Sequence, residues 1–246
     1  MNDPHPRESV ELSVVIPVFN ERDNLAPLLK ELGQVLEGLG KSYEVLCIDD
    51  KSTDDSLAVL SALQKDRPFL RIVRHCVNSG ESAAEATGFR HAKGHVIVTM
   101  DADQQNDPAD IPALLEALRE DVAAVCGVRR VRMDDRVKRI SSRLANGFRN
   151  RVTGDRVSDA GCTFRALRRC ALHDVPVFNG MHRFLPTILR LQGFRADEIL
   201  VNHRPRTRGK SKYGVGNRVW RGIADCLAMR WYKSRCVRAD RVQIEP

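Results

Sequence analysis

The chain of 246 residues is poor in aromatics, with 2 Trp, 3 Tyr and 8 Phe, or 5%. So few rings argue against a stacking platform for single-stranded nucleic acid and against an aromatic-rich all-β sandwich. No apolar run approaches the ~20 residues needed to cross a bilayer. The N-terminal stretch MNDPHPRESVE is polar and has no signal-peptide apolar region. The expectation is a chain neither secreted nor membrane-spanning by its own sequence. Its cysteines, Cys47, Cys76, Cys126, Cys162, Cys170, Cys226 and Cys236, are odd in number and never spaced as CxxC. They read as reduced, mostly core thiols of a cytosolic protein, not as a disulfide framework or zinc site. Three phosphate and acyl-transfer fingerprints are also missing. There is no GxGxxG after the first strand-like run, no GxxxxGK[ST] and no GxSxG. A dinucleotide fingerprint, a P-loop and a hydrolase elbow are therefore unsupported.

What is present is ordinary globular composition, 42% hydrophobic and 29% charged, enough for a sizeable core. The net charge of +8 is unevenly placed. Residues 1–128 carry 12 Lys/Arg against 22 Asp/Glu, whereas residues 129–246 carry 28 against 10. An acidic half suits a divalent cation. A basic half suits phosphates, a membrane surface or a nucleic acid.

The first half alternates strand and helix patterns. Leu12–Val18, 43–48, Leu70–Arg74, 95–100 and 122–126 are short apolar strands. Helical spacing runs through 24–39, from the cap Thr53-Asp54-Asp55 to about 64, and through 82–93 and 109–118. Gly94 stands where a helix C-cap glycine belongs. After Gly127 come a basic helix over 131–152, a loop with a short strand or turn over 159–169, and a helix over 183–192. A strand over Ala196–Val201, a dense basic loop over 203–213 and a helix over 215–233 follow. Such alternation predicts an α/β fold, a mostly parallel sheet with helices on both faces. The expected division is a polar segment over 1–10, a catalytic domain over 11–213 and a basic amphipathic helix and tail over 214–246. In that helix Val219, Trp220, Ile223, Leu227 and Trp231 fall on or near one stripe among basic residues. The stripe either packs as core or lies in an anionic lipid interface.

Ligands of such sheets bind at the carboxyl ends of the strands. Here those ends read Pro17-Val18-Phe19-Asn20-Glu21, Asp49-Asp50 and Asp101-Ala102-Asp103. Asp101 and Asp103, one residue apart after VIVTM, can hold a hard divalent cation against a pyrophosphate, and Gln105 and Asp107 extend the cluster. A bare DxD is otherwise an ordinary surface triplet. Asp50 and Glu21 offer acceptors for a base or ribose. Their plain alternatives are helix capping and a first-turn carboxylate.

Four segments, VVIPVFNERDNL, VLCIDDKSTDDSL, VNSGESAAEATGFRHAKG and VIVTMDADQQNDP, resemble in order and spacing the core of the family-2 glycosyltransferases. GVR at 127–129, DAGCTFRALRR at 159–169 and HRPRTRGKSKYG at 203–214 resemble the polyprenyl-phosphate hexosyltransferase branch, the one that includes dolichyl-phosphate mannosyltransferases. The resemblance covers about 11–213. It implies a Rossmann-like glycosyltransferase A fold and inverting transfer of a hexose from a nucleotide-diphosphate sugar to a polyprenyl phosphate. By motif, Pro17, Phe19, Glu21 and Asp50 resemble the frame of the donor nucleoside. Asp101, Asp103 and Gln105 resemble ligands of Mg²⁺ or Mn²⁺, with Ala102 between them in the donor site. Arg129, Arg206, Ser211 and Lys212, and with them Arg139, resemble residues near the phosphates. Asp159 and its loop resemble the lining of the sugar pocket. The chain departs from the common pattern at Gln104, where leucine is usual, and at Glu81 and Ser82, where smaller or neutral residues are usual.

The resemblance also implies a cytoplasmic-face, peripheral protein. Its partners would be a nucleotide sugar, a lipid phosphate, an anionic membrane surface and a membrane-anchoring protein, with no nucleic acid. Many relatives in this branch carry C-terminal transmembrane helices, and none is expected here. Three alternatives stay open on sequence grounds. One is a family-2 transferase on a saccharide or lipid hydroxyl, which needs a general base such as Asp159. Another is a noncatalytic nucleotide-sugar or membrane-binding module. The third is nucleic-acid binding, which predicts salt-sensitive association.

Overall fold

The computed structural model describes residues 10–130, 136–205 and 216–236. Seven strands form one sheet: β1 (Leu12–Val18), β2 (Tyr43–Asp49), β3 (Leu70–Arg74), β4 (Val96–Thr99), β5 (Ala124–Arg129), β6 (Arg165–Arg168) and β7 (Ala196–Val201). Their order is β3-β2-β1-β4-β6-β5-β7. The helices are α1 (Arg22–Gly38), α2 (Ser56–Gln64), α3 (Glu81–His91), α4 (Ile111–Ala117), α5 (Arg136–Thr153), α6 (Met181–Leu191) and α7 (Gly216–Arg235).

Register explains how a site is built. β1 pairs in parallel with β2 from Leu12↔Tyr43 to Val18↔Asp49, and with β4 from Leu12↔Val96 to Val15↔Thr99. The carboxyl ends of β1, β2 and β4 therefore lie side by side. The alternating pleat sends Val14 and Ile16 to one face, where they meet Leu25, Leu28, Leu29 and Leu32 of α1. Val15 goes to the other face, with Phe89 of α3 and Leu185 of α6. Both faces are covered, as the continuous apolar strands require. Each fully buried leucine contributes roughly 1.5–3 kcal/mol. All seven cysteines are free thiols, and Cys47 and Cys126 are buried.

The structure bears out one expectation in finer detail and changes another. The segment 159–169 yields β6, which inserts antiparallel between β4 and β5. Gly94 does not cap α3, which ends three residues earlier at His91. A Cβ at Gly94 would lie 2.5 Å from the backbone nitrogen of Ser13, so glycine is required by close packing against β1. The Gly94 N–H donates to Ser13 Oγ at 2.8 Å, and Ser13 Oγ donates to Glu44 Oε1 at 2.6 Å.

Buried Glu44 also accepts from the Lys93 N–H at 2.6 Å and pairs with Arg71. Burial opposes its charge, but the bonds from Ser13, Lys93 and Arg71 together outweigh burial and hold its pKa below the usual value. A carboxyl depressed in the folded state stabilises above its unfolded pKa and loses that contribution as pH falls through the folded pKa. Glu44→Gln is expected to cost about 1–3 kcal/mol at pH 7. Thermal melts of the variant and the wild type should converge below about pH 4. A pH-independent difference would refute the ionised role.

Candidate active site

A cavity of about 450 Å³ opens at the joined strand ends. It is lined by Pro17, Phe19, Glu21, Asp50, Asp101, Ala102, Asp103, Gln105 and Arg129, nine of the residues singled out from sequence. Asp159 is not among the lining residues but is bonded to Arg129, which is. Arg139 lies on α5, and its side chain is outside the described residues. Arg206, Ser211 and Lys212 also lie outside them.

The turns that follow the strands are strained. Asn20, Lys51 and Gln104 adopt φ of 54°, 60° and 63°. Each left-handed non-glycine residue costs on the order of 1 kcal/mol and re-aims the chain sharply. Gln104 is the position that departs from the family pattern. The Asn20 Oδ1 accepts from the Thr53 N–H at 2.7 Å and the Asp54 N–H at 3.2 Å, tying the first two turns together. Glu21 precedes α1 and accepts from Asn24 Nδ2 at 2.6 Å. Asp54 Oδ1 accepts from the Ser56 N–H at 2.9 Å at the start of α2, whose N-cap residue, Asp55, makes no side-chain capping bond.

Asp50 organises one wall. Its Oδ1 meets His75 Nδ1 at 2.7 Å and the Ser79 N–H at 2.8 Å. Its Oδ2 accepts from Asn78 Nδ2 at 3.0 Å and the Gly80 N–H at 2.7 Å. These four partners match the roughly four lone-pair positions of a carboxylate. The carboxylate expected to face a base thus shapes the 75–80 loop, and Asn78 and Gly80 of that loop line the cavity.

Asp101 and Asp103 sit at the end of β4. Asp101 Oδ1 accepts from Thr163 Oγ1 at 2.7 Å, and the Asp101 N–H donates to Asn106 Oδ1 at 2.8 Å. Burial, reinforced by the charge of Asp103, raises the Asp101 pKa to about 6. Glu81, in the first turn of α3, faces the same cavity. Burial first, then Asp101 and Glu85, push it up to about 8. Carboxyls gathered this closely resist joint ionisation without a counter-charge. Their hard oxygen donors fit a divalent cation held by Asp101 and Asp103. Among the described residues no group of three or more His, Cys, Asp or Glu side chains could hold a metal. Gln105, the third expected ligand, directs Nε2 toward the Arg204 carbonyl at 3.4 Å. The Arg204 N–H returns a bond to the Gln105 carbonyl at 2.9 Å. Arg204 in turn holds Asp107 at 2.7 Å and forks onto Glu31 at 2.6 and 2.8 Å. The acidic loop and the start of the basic segment are therefore stitched together.

Cations line the same cavity. Arg129, at the end of β5, makes a bidentate fork to Asp159, with Nε to Oδ2 at 2.6 Å and Nη2 to Oδ1 at 2.7 Å. His182 and Arg183, in the first turn of α6, line it as well. Sequence reasoning missed both, as well as Glu81 as a pocket group. Polar residues on a helix pattern read as a solvated face until α3 and α6 are known to pack together.

The family model of Glycosyl transferase family 2 matches residues 13–175. The undecaprenyl-phosphate 4-deoxy-4-formamido-L-arabinose transferase of Edwardsiella ictaluri is 39% identical over 206 residues, 83% of this chain and 63% of the relative. The dodecaprenyl-phosphate galacturonate synthase of Rhizobium johnstonii is 35% identical over 238 residues, 94% of this chain and 70% of the relative. The chain thus spans about two thirds of the length of these relatives. Glucosyl-3-phosphoglycerate synthase from Mycobacterium tuberculosis, solved with Mn²⁺, uridine diphosphate and phosphoglyceric acid, superposes with TM-score 0.67 at 19% identity, over 94% of this chain and 80% of that one. A mannosyltransferase from Pyrobaculum calidifontis, solved with GDP-Man and Mn²⁺, gives 0.61 at 22%, over 96% and 67%. These two share the fold, an α/β architecture of the glycosyltransferase A type. With most of its sheet and the whole DxD edge inside the matched span, the chain belongs to glycosyl transferase family 2.

Proposed function

We propose that the chain transfers a sugar, with inversion, from a nucleotide-diphosphate sugar to a polyprenyl phosphate. One observation carries this: a single cavity is lined both by two strand-end carboxylates, Asp101 and Asp103, and by two arginines, Arg129 and Arg183. That polarity suits a donor diphosphate held through a cation and a second anion held by guanidinium groups. The relatives, named for undecaprenyl- and dodecaprenyl-phosphate products or acceptors, support the lipid phosphate as that second anion.

Asp101 and Asp103 would hold Mg²⁺ or Mn²⁺, which when bound offsets the charge growing on the leaving diphosphate. The loop held by Asp50, with Pro17, Phe19 and Glu21, frames the nucleoside. An acceptor phosphate oxygen attacks the anomeric carbon, the bond from that carbon to the diphosphate oxygen breaks, and a nucleoside diphosphate leaves. A phosphate monoester has a second pKa of roughly 6, so the nucleophile is already ionised near neutral pH. No general base is required. The fork that occupies both oxygens of Asp159 is consistent with this.

The acceptor lives in a membrane, and α7 is the element we assign to its surface. Cys226 and Met229 are buried on one side of α7, whereas Trp220, Leu227 and Trp231 are 74%, 55% and 65% exposed. Residues spaced by 7 and 11 share one helical stripe. Exposed tryptophans among basic residues suit an anionic headgroup layer on the cytoplasmic face. Among the described residues no helix is long and apolar enough to cross a membrane.

The test is transfer to undecaprenyl phosphate in phosphatidylglycerol vesicles, with Mn²⁺ or Mg²⁺ and a panel of nucleotide sugars, read by mass spectrometry. A lipid-phosphate-linked sugar from one donor, lost with EDTA, is expected. The protein should float with the vesicles, and a Trp220→Ser/Trp231→Ser variant should not. Sugar appearing only on a hydroxyl acceptor would sink the lipid-phosphate reading. Flotation unchanged in the double variant would sink the assignment of α7.

A further inference from the structure

The cavity offers an anion fewer available cations than its composition suggests. The Arg129 guanidinium is forked onto Asp159. The ring nitrogens of His182 face Ser82 Oγ at 2.8 Å and Glu81 Oε2 at 3.5 Å. Arg165 is fully buried, donates to the Cys162 carbonyl and leaves its Nε and Nη1 N–H groups without a partner, but it does not line the cavity. Arg183 differs. It lines the cavity, and its Nη2 meets Asp225 of α7 at 3.2 Å, while its Nε–H is buried without a hydrogen-bond partner. A buried donor left unmade is unfavourable, and an anion oxygen is the partner that best relieves it.

The backbone is shaped around this arginine. Gly180, at φ +99°, precedes α6, and a Cβ there would lie 2.8 Å from Asp225 Oδ2 and 2.9 Å from Arg183 Nη2. The residue that steadies Arg183 from behind belongs to α7, the helix with exposed tryptophans. Glu81 of α3 faces it from the cavity side and feels its charge. Arg183 thus links α7, through Asp225, to the reaction cavity.

We propose that Arg183 receives the phosphate monoester of the acceptor, an assignment that rests on the polyprenyl-phosphate reading above. The full chain is titrated calorimetrically with farnesyl phosphate, glycerol 3-phosphate and farnesol, and separately with Mn²⁺ plus UDP or GDP. Arg183→Gln is expected to weaken farnesyl phosphate binding at least tenfold, and Arg183→Lys less. Nucleotide binding should stay within twofold. Melting curves confirm folding, and the lysine variant keeps the test valid if glutamine is not tolerated. Farnesyl phosphate binding within twofold of wild type in both variants overturns the assignment. So does a loss of nucleotide affinity as steep as that of farnesyl phosphate, which would move Arg183 to the donor side. If glycerol 3-phosphate binds wild type as tightly as farnesyl phosphate and both depend on Arg183, the arginine keeps its role and the lipid acceptor falls. If wild type binds neither phosphate, both fall together.

Discussion

Asp103→Ala lowers the transfer rate by about 10³-fold or more, the scale expected when a charge stabilising the leaving group loses its support. Asp101→Asn gives a similar loss and is the more informative variant. Its amide oxygen can still accept from Thr163 Oγ1, as Asp101 Oδ1 does at 2.7 Å, so geometry survives while charge does not. Burial and the neighbouring Asp103 already disfavour ionised Asp101 in the fold. Removing that charge relieves repulsion, and the metal-free melting temperature should hold or rise by a few degrees. Mn²⁺-dependent nucleotide affinity falls in parallel with rate. Both readouts are needed: assays of initial rate over a metal titration, and melts in EDTA. Transfer within tenfold of wild type in either variant would place the cation elsewhere.

The second large effect concerns stability. Arg129 and Asp159 are 13% and 7% exposed as side chains and share a two-bond fork. Asp159→Ala strips a largely buried guanidinium of this fork, at a cost of up to roughly 3–5 kcal/mol. In a chain of this size that lowers the melting temperature by on the order of 10 °C. Replacing both partners with apolar residues of similar volume should recover much of the loss, because desolvation offsets a large part of a buried pair's attraction. Asp159→Asn separates this role from base catalysis. A base would lose about 10²–10⁴ in rate with an unchanged melt. Here the melt should fall, and rate should follow the fraction folded and the placement of Arg129. An unchanged melt would refute the positioning role.

Much of the donor edge was legible because its signals are local. Buried strands such as Leu12–Val18 end in residues that no core would choose, and parallel pairing must bring those ends together. The 101–103 carboxylates needed only that rule. The α6 side of the cavity was less legible because its signals are remote. Ser82 meets His182 across 100 positions of chain, and Arg183 meets Asp225 across 42. Each sits in a helix where a polar residue ordinarily faces water. β6 is four residues with arginine at both ends, too short for a period-2 pattern to show. Gly94 misled because both a C-cap and a close approach to a neighbouring strand select glycine, and only the packing against Ser13 separates them. For Asp50, adjacency to Asp49 hinted at ligand binding, but its partners are backbone amides and side chains 25 to 30 residues downstream.

The antiparallel insertion of β6 has a consequence for biogenesis. β4 hydrogen-bonds to β1 and β6, and β5 only to β6 and β7. As the chain leaves the ribosome, β1 to β4 can assemble in order, each new strand meeting one already made. β5 emerges next with neither neighbour yet synthesised. It must wait about 40 residues for β6, whose four residues then close the outer edge of β4 and the first edge of β5 in one event. Until then the nascent protein carries the completed DxD edge on an unfinished sheet, and its later half is joined through a strand of four residues.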